Sequence, residues 1–254
     1  MIRVQNCRLT YRTPCGHVHT ALDHVDLHVD EAEFVCVLGP SGCGKTSLLN
    51  LVAGFLKPSA GVVLFDNMSV AGPGPDRGVV FQDPTLFPWL TVRQNVEFGL
   101  RNAGCAPDRL APRATAALAA VGMRAHIHKH PHALSGGMRQ RVALARVLVL
   151  EPSALLMDEP FSALDANTRE RLQDELLRIW DEHRRTVLYV THSVEEAAYL
   201  ADRVLIMGPP PESIKDEVAL SLPRPRDRAS DEFRAAVQLL RGKLDRLPCC
   251  VVET

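Results

Sequence analysis

The chain has 254 residues, 46% of them hydrophobic, and 29 Lys and Arg against 30 Asp and Glu leave a formal charge of −1. A globular chain of this length buries most of the apolar surface its unfolded form exposes, so disulfides and structural metals are not required, and near-neutrality argues against general nucleic-acid binding, which needs a basic face. No apolar run approaches the roughly 18 residues of a membrane span, and Arg3, Asn6 and Arg8 interrupt the start where a signal peptide is apolar, so the chain is expected in the cytosol.

Taken in chain order, residues 1–29 end in the alternation Val25, Leu27, Val29 and read as antiparallel strands flanking a core. Phe34–Leu38 is a continuous apolar run, as a strand covered on both faces should be, and it leads through GPSGCGKT into a helix beginning near Lys45. A second such run, 78–81, is followed by Gln82. From there the strand signal fades into segments rich in Ala, Leu and Arg, such as 110–121 and 138–150, read as a helical subdomain inserted over 83–151. Strand signals return at 154–157, followed by Asp158 and Glu159, at 187–190, followed by Thr191 and His192, and at 204–207. After Pro223 the run PRPRDR reads as a linker. Ser230 then caps a helix carrying Phe233, Val237, Leu240, Leu244 and Leu247, expected to pack on its own domain. Strands alternating with helices predict an α/β fold with a mainly parallel sheet, whose ligands bind beyond the carboxyl ends of the strands. Four segments bring polar groups to that edge.

Gly39, Pro40, Ser41, Gly42, Cys43, Gly44, Lys45 and Thr46 fit G-x-x-x-x-G-K-[ST] between a strand and a helix, where that motif has to sit. Its glycines let backbone N–H groups point inward, and the helix terminus adds partial positive charge where phosphate oxygens arrive. Lys45 is expected on the β- and γ-phosphates and Thr46 on Mg²⁺. Asp158, after four apolar residues, is the strand-end carboxylate for the magnesium shell, and Glu159 is the candidate general base that polarises an attacking water. His192 is placed to hydrogen-bond a γ-phosphate oxygen. The dinucleotide fingerprint G-x-G-x-x-G is absent.

The motifs LSGGMRQR at 134–141, FSALD at 161–165 and VTH at 190–192 then make the chain resemble the nucleotide-binding subunit of an ABC transporter over residues 1–225, leaving 226–254 as linker and terminal helix. Ser135 stands 90 residues after Lys45 and 23 before Asp158, in the family's order. The resemblance implies the P-loop ABC ATPase fold, with a mainly parallel core sheet, an antiparallel β-subdomain and the inserted helical subdomain. It also implies ATP and Mg²⁺ as ligands and two copies pairing head to tail around ATP. Ser135, Gly136 and Gly137 then serve the opposite copy's γ-phosphate, and Asp165 lies near the opposite P-loop. Ser47 extends the P-loop contacts, Tyr11 resembles the residue that stacks on adenine or is a strand-surface tyrosine, and Gln82 joins catalysis and the magnesium shell as the lever toward a membrane protein. Residues 73–100 and the tail ADRVLIMGPPP…LPRPRDR look most like importers of nitrate, sulfonates and taurine. This implies a bacterial system with a separate permease and a periplasmic binding protein, the chain sitting peripherally on the cytoplasmic face of the inner membrane. Pro88 and Trp89 are the expected docking surface, the alternative being that Trp89 is packed in the helical subdomain. Departures from the family pattern are Ala32 in place of glycine and Met138 in place of glutamine.

A catalytically dead homologue is disfavoured, since Lys45, Gln82, Ser135, Asp158, Glu159 and His192 are all present. DNA-clamping ATPases of chromosome maintenance insert long coiled coils between P-loop and signature, and this spacing leaves no room for them. A GTP switch lacks its N-K-x-D motif. His126, His128, His130 and His132 alternate in HIHKHPH and on an extended segment face one way, as zinc ligands do. With no Cys or carboxylate completing the set, the segment reads instead as a solvated or partner-facing loop, and His17 and His19 read likewise. The seven cysteines, Cys7, Cys15, Cys36, Cys43, Cys105, Cys249 and Cys250, contain no C-x-x-C pair and read as reduced thiols, the last two in a disordered tail.

Overall fold

Alternating apolar residues at the start of the chain pair into an antiparallel ribbon, as the pattern requires. The structure is a computed structural model that describes residues 1–12 and 18–247; Cys15, His17, Cys249 and Cys250 lie outside the described residues. Strands β1 (Ile2–Arg12) and β2 (Val18–Val29) run against each other with Ile2 opposite Val29 and Val4 opposite Leu27, all four buried, while Arg3 and Gln5 face outward. The apolar run of β3 (Phe34–Leu38) is buried at every residue. After the glycine loop, α1 (Lys45–Ala53) runs to Gly54 at φ +81, where a Cβ would lie 2.4 Å from the Gly72 carbonyl oxygen, so only glycine ends the helix there. Strands β4 (Ala60–Phe65) and β5 (Met68–Ser69) complete an antiparallel sheet in the order β2-β1-β4-β5.

The chain then passes through β6 (Arg77–Val80), α2 (Val92–Asn102), α3 (Pro107–Ala120), α4 (Gly136–Leu148), β7 (Ala154–Asp158) and α5 (Ala166–His183). It returns as β8 (Thr186–Thr191), α6 (Val194–Leu200), β9 (Arg203–Met207), β10 (Ile214–Ala219) and α7 (Asp231–Leu244). Residues 1–74 with the described residues from 186 on form one compact unit, and residues 75–185 a second. In the first, β3 is parallel to both β8 and β9, and β10 is antiparallel to β9. In the second, β6 and β7 are parallel. Side-chain oxygens of Thr91, Ser135, Asp165, Ser193 and Ser230 accept from backbone N–H groups at the starts of α2, α4, α5, α6 and α7, each such cap stabilising by about 1 kcal/mol.

The structure adds to the sequence reading in some places and departs from it in others. Helix α2 lies within the stretch read as helical but was not singled out there, because Asn95 and Glu97, both fully or nearly buried, interrupt the apolar stripe on which a helix is recognised. The HIHKHPH segment is not extended: 3₁₀ turns at Arg124–His126 and Pro131–Ala133 bend it, and the carbonyls of Lys129 and Ile127 accept from the first two N–H groups of α2. The rings of His130 and His132 stack with centres 5.8 Å apart, but among the described residues no three His, Cys, Asp or Glu side chains are grouped to hold a metal ion. The PRPRDR run, read as a linker, is anchored to α6: Arg226 is buried with its guanidinium on the Ala198 and Tyr199 carbonyls and Arg224 reaches Asp202 and the Leu200 carbonyl. Ala32, where the family pattern has glycine, adopts φ +60, the left-handed conformation glycine takes at least cost, with its N–H bonded to Thr186 Oγ1. As expected for the terminal helix, α7 lies within its own unit, burying Phe233, Ala236 and Leu240, with Phe233 edge-on to Tyr199 of α6.

Candidate functional site

In the first unit, Leu38 pairs with Thr191, so the glycine loop and His192 leave neighbouring parallel strands at one level. The loop is curled tightly. Gly42 and Gly44 have φ +82 and +100, and a Cβ on Gly44 would meet the Ala21 carbonyl oxygen at 2.6 Å, while one on Gly39 would meet the Met207 carbonyl oxygen at 2.3 Å. Lys45 is only 5% exposed, and its Nζ donates to the Gly39 and Pro40 carbonyls at 2.9 and 2.8 Å, closing the loop on itself. Cys43 is buried against this curl, Ser41 and Thr46 are exposed, and Ser47 is half-buried at the start of α1. Tyr11, 40% exposed at the end of β1, lies with its hydroxyl 3.4 Å from Ser47 Oγ. His192 is exposed, between a buried Thr191 and the Ser193 cap of α6.

These residues fit a polyphosphate. Gly44 at the helix start supplies no capping side chain, and the first turn of α1 holds no acidic residue, so the positive end of this helix favours an anion. A cation seated inside the loop adds to that attraction.

In the second unit, Val80 pairs with Met157, so Gln82 and the Asp158–Glu159 pair emerge side by side from adjacent parallel strands. They border a cleft of about 660 Å³ whose lining includes Gln82, Asp158, Gly136, Arg139 and Phe81. Ser135 and Gly136, at the exposed start of α4, therefore belong to the same side of this unit as the two strand ends, and Gly137 is buried where a Cβ would lie 2.7 Å from Thr168 Cγ2. Glu159 has φ +43, an uncommon conformation for a residue with a side chain, enforced by the turn in which its carbonyl accepts from the Ser162 N–H and hydroxyl. Asp165 is exposed at the cap of α5, and the Thr168 backbone N–H it accepts holds its carboxyl below the usual range. Its ionised state complements the helix start.

Sequence reasoning passed over the residues that hold the Gln82 segment. Gln140 Nε2 donates to the Phe81 carbonyl, and Arg146, whose guanidinium pKa is lowered by burial, donates to the Pro84 and Thr85 carbonyls at 3.1 and 3.0 Å. Buried Asn95 donates to the Phe87, Leu90 and Thr91 carbonyls and accepts from the Phe87 N–H, fixing the turn that displays Trp89. A polar residue at an inward position of an amphipathic helix was the available signal. Trp89 itself is 71% exposed beside Phe87, at 5.6 Å between ring centres, which overturns the reading of Trp89 as packed. Among the described residues no helix is long and apolar enough to cross a membrane.

The family signature described as ABC transporter matches residues 22–162. The chain is 47% identical over 203 residues to the nitrate import ATP-binding protein of a Synechocystis strain, covering 80% of this chain and 76% of that one. It is 45% identical over 232 residues to the taurine import ATP-binding protein of Yersinia pseudotuberculosis, covering 88% and 91%. Among solved structures, a dimeric ATP-binding cassette in a post-hydrolysis state with ADP and Pi matches with TM-score 0.77 and 31% identity, over 87% of this chain and all of that one.

Proposed function

The chain belongs to the ABC transporter family of ATPases, and we propose that it is the ATP-hydrolysing subunit of an importer for a small anionic solute of the nitrate, sulfonate or taurine kind, acting through a separate permease. The observation that carries the catalytic part is the closed glycine loop with Lys45 buried inside it. The import names of the nitrate and taurine relatives support the solute class and the permease.

In this reading Gly39 to Ser47 hold the phosphates of ATP, and Tyr11 stacks on the adenine. Thr46, Gln82 and Asp158 hold Mg²⁺, which when bound neutralises charge on the phosphate oxygens. Glu159 accepts a proton from the attacking water, a contribution of about 10²–10⁴ in rate. His192 donates a hydrogen bond to a γ-phosphate oxygen as charge develops on it. Ser135, Gly136, Gly137 and Asp165 serve the nucleotide of a second copy, so ATP joins two chains and its hydrolysis releases them. The dimeric cassette structure supports that arrangement. The ATPase domain extends over 1–225 with the helical part inserted at 83–151. Pro88 and Trp89, exposed on that part, contact the permease, and a periplasmic binding protein supplies the solute. The subunit then lies peripherally on the cytoplasmic face of the inner membrane and engages no nucleic acid.

The test is Glu159→Gln, which preserves shape and removes the base. ATP binding is retained, ATP-dependent dimerisation measured by light scattering increases, and turnover falls by at least about 100-fold. Turnover within threefold of the parent would refute the assignment.

A further inference from the structure

His192 is exposed, yet both of its neighbours are tied into a closed set of hydrogen bonds that runs through one buried carboxylate. Thr191 Oγ1 donates to Glu196 Oε2 at 2.6 Å, the Ser193 N–H donates to Thr191 Oγ1 at 3.0 Å, and the Glu196 N–H donates to Ser193 Oγ at 3.2 Å. The Tyr189 hydroxyl adds a fourth bond to Glu196 Oε2 at 3.3 Å. Thr191 is 1% and Glu196 4% exposed, so water does not compete for these partners. We propose that Glu196 is the positioning residue for His192, acting through the Thr191 hydroxyl. The proposal rests on the reading of His192 as a phosphate contact.

A threonine hydroxyl has a single proton. Because that proton is committed to Glu196, a lone pair of Thr191 Oγ1 is turned toward the Ser193 N–H, and the peptides on both sides of His192 are left with one arrangement. Remove the carboxylate and the hydroxyl rotates, the Ser193 N–H loses its aligned acceptor, and the imidazole is carried by a looser backbone. Starting α6 needs only the Ser193 cap. A carboxylate buried next to that cap is costly in itself, and its placement is explained by the two hydroxyls it receives from β8.

The far end of α6 is fastened independently, which makes Glu196 a fixed point. Arg226 donates to the Ala198 and Tyr199 carbonyls at 2.7 and 3.2 Å, and Arg224 donates to the Leu200 carbonyl. The Arg228 guanidinium lies 3.4 Å over the Tyr199 ring. The segment from Arg224 to Arg228 thus occupies the last carbonyls of α6, while Glu196 ties its first turn to the strand carrying His192.

The experiment measures kcat and KM for ATP hydrolysis by the full chain with magnesium, together with equilibrium binding of a fluorescent ATP analogue. Glu196→Ala and Thr191→Val each lower kcat between about 10- and 100-fold, the range set by a misplaced transition-state donor, with KM and analogue binding changed less than threefold. Glu196→Gln, whose amide oxygen still accepts from Thr191, and Thr191→Ser, which keeps the hydroxyl, restore kcat to within about threefold. In a His192→Ala background neither Glu196→Ala nor Thr191→Val lowers kcat further. Should Glu196→Ala fail to fold, the near-isosteric Thr191→Val decides alone. A Thr191→Val chain with parental kcat, a loss that Thr191→Ser does not rescue, or losses that persist undiminished on His192→Ala each overturn the proposal while leaving the histidine assignment standing. Parental kcat in His192→Ala overturns that assignment itself and the proposal with it.

Discussion

Alanine at two glycines of the phosphate loop separates the cradle from the fold. Both sit at positive φ, +82 at Gly42 and +100 at Gly44, so each substitution carries the cost of a left-handed residue, about 1–2 kcal/mol, partly offset by the lower entropy of the unfolded alanine chain. At Gly42 nothing lies within 4 Å of the added Cβ, so the net destabilisation stays near 1 kcal/mol. At Gly44 the same carbon meets the Ala21 carbonyl oxygen at 2.6 Å and Leu22 Cδ2 at 2.9 Å, and Leu22 is fully buried, leaving no room to yield. Overpacking of this kind adds about 1–3 kcal/mol, so Gly44→Ala is expected to lose about 2–4 kcal/mol in all. Urea unfolding of the nucleotide-free chains measures the difference directly. Repeating it with ATP at a hundredfold its Kd stabilises the parent by about 2.7 kcal/mol. Gly42→Ala, whose methyl occupies space beside the phosphate cradle, binds at least tenfold more weakly and forfeits about 1.4 kcal/mol of that gain. Equal nucleotide-free midpoints for the two variants, or parental ATP stabilisation of Gly42→Ala, would sink the argument.

Two further outcomes follow from the second unit. Arg146→Met removes the donors that hold the Pro84 and Thr85 carbonyls, so amide hydrogen exchange across residues 83–87 rises severalfold while the exchange of β3 and α1 is unchanged; unaltered exchange at 83–87 would show that Arg146 does not hold this segment. Because 3₁₀ turns bend the 126–132 segment and no three ligating side chains are grouped among the described residues, His128→Ala with His130→Ala leaves zinc binding by titration calorimetry unchanged, and a lost stoichiometric site would reverse that view.

What could be read from the chain alone was whatever local chemistry encodes. Phe34–Leu38, the glycine loop and the start of α1 form one continuous strand, turn and helix, and the cap at Ser230 acts on an N–H group three residues away. The order of P-loop, signature and strand-end carboxylates made the family resemblance visible for the same reason, since each motif is a short run whose backbone conformation its own residues dictate. Tertiary structure decided the rest. Only the pairing of Leu38 with Thr191 puts His192 level with the loop, and only folding reveals that Gln140 and Arg146 spend their polar groups on carbonyls distant in sequence. A run such as PRPRDR has the composition of a solvated linker, and an arginine's composition says nothing of whether a helix end is waiting to receive it. Arg226 is buried because the carbonyls of Ala198 and Tyr199 lie within its reach, and Glu196 is buried because two hydroxyls of β8 do the same for a carboxylate. Burying such groups depends on partners supplied by other elements, and no local pattern announces them.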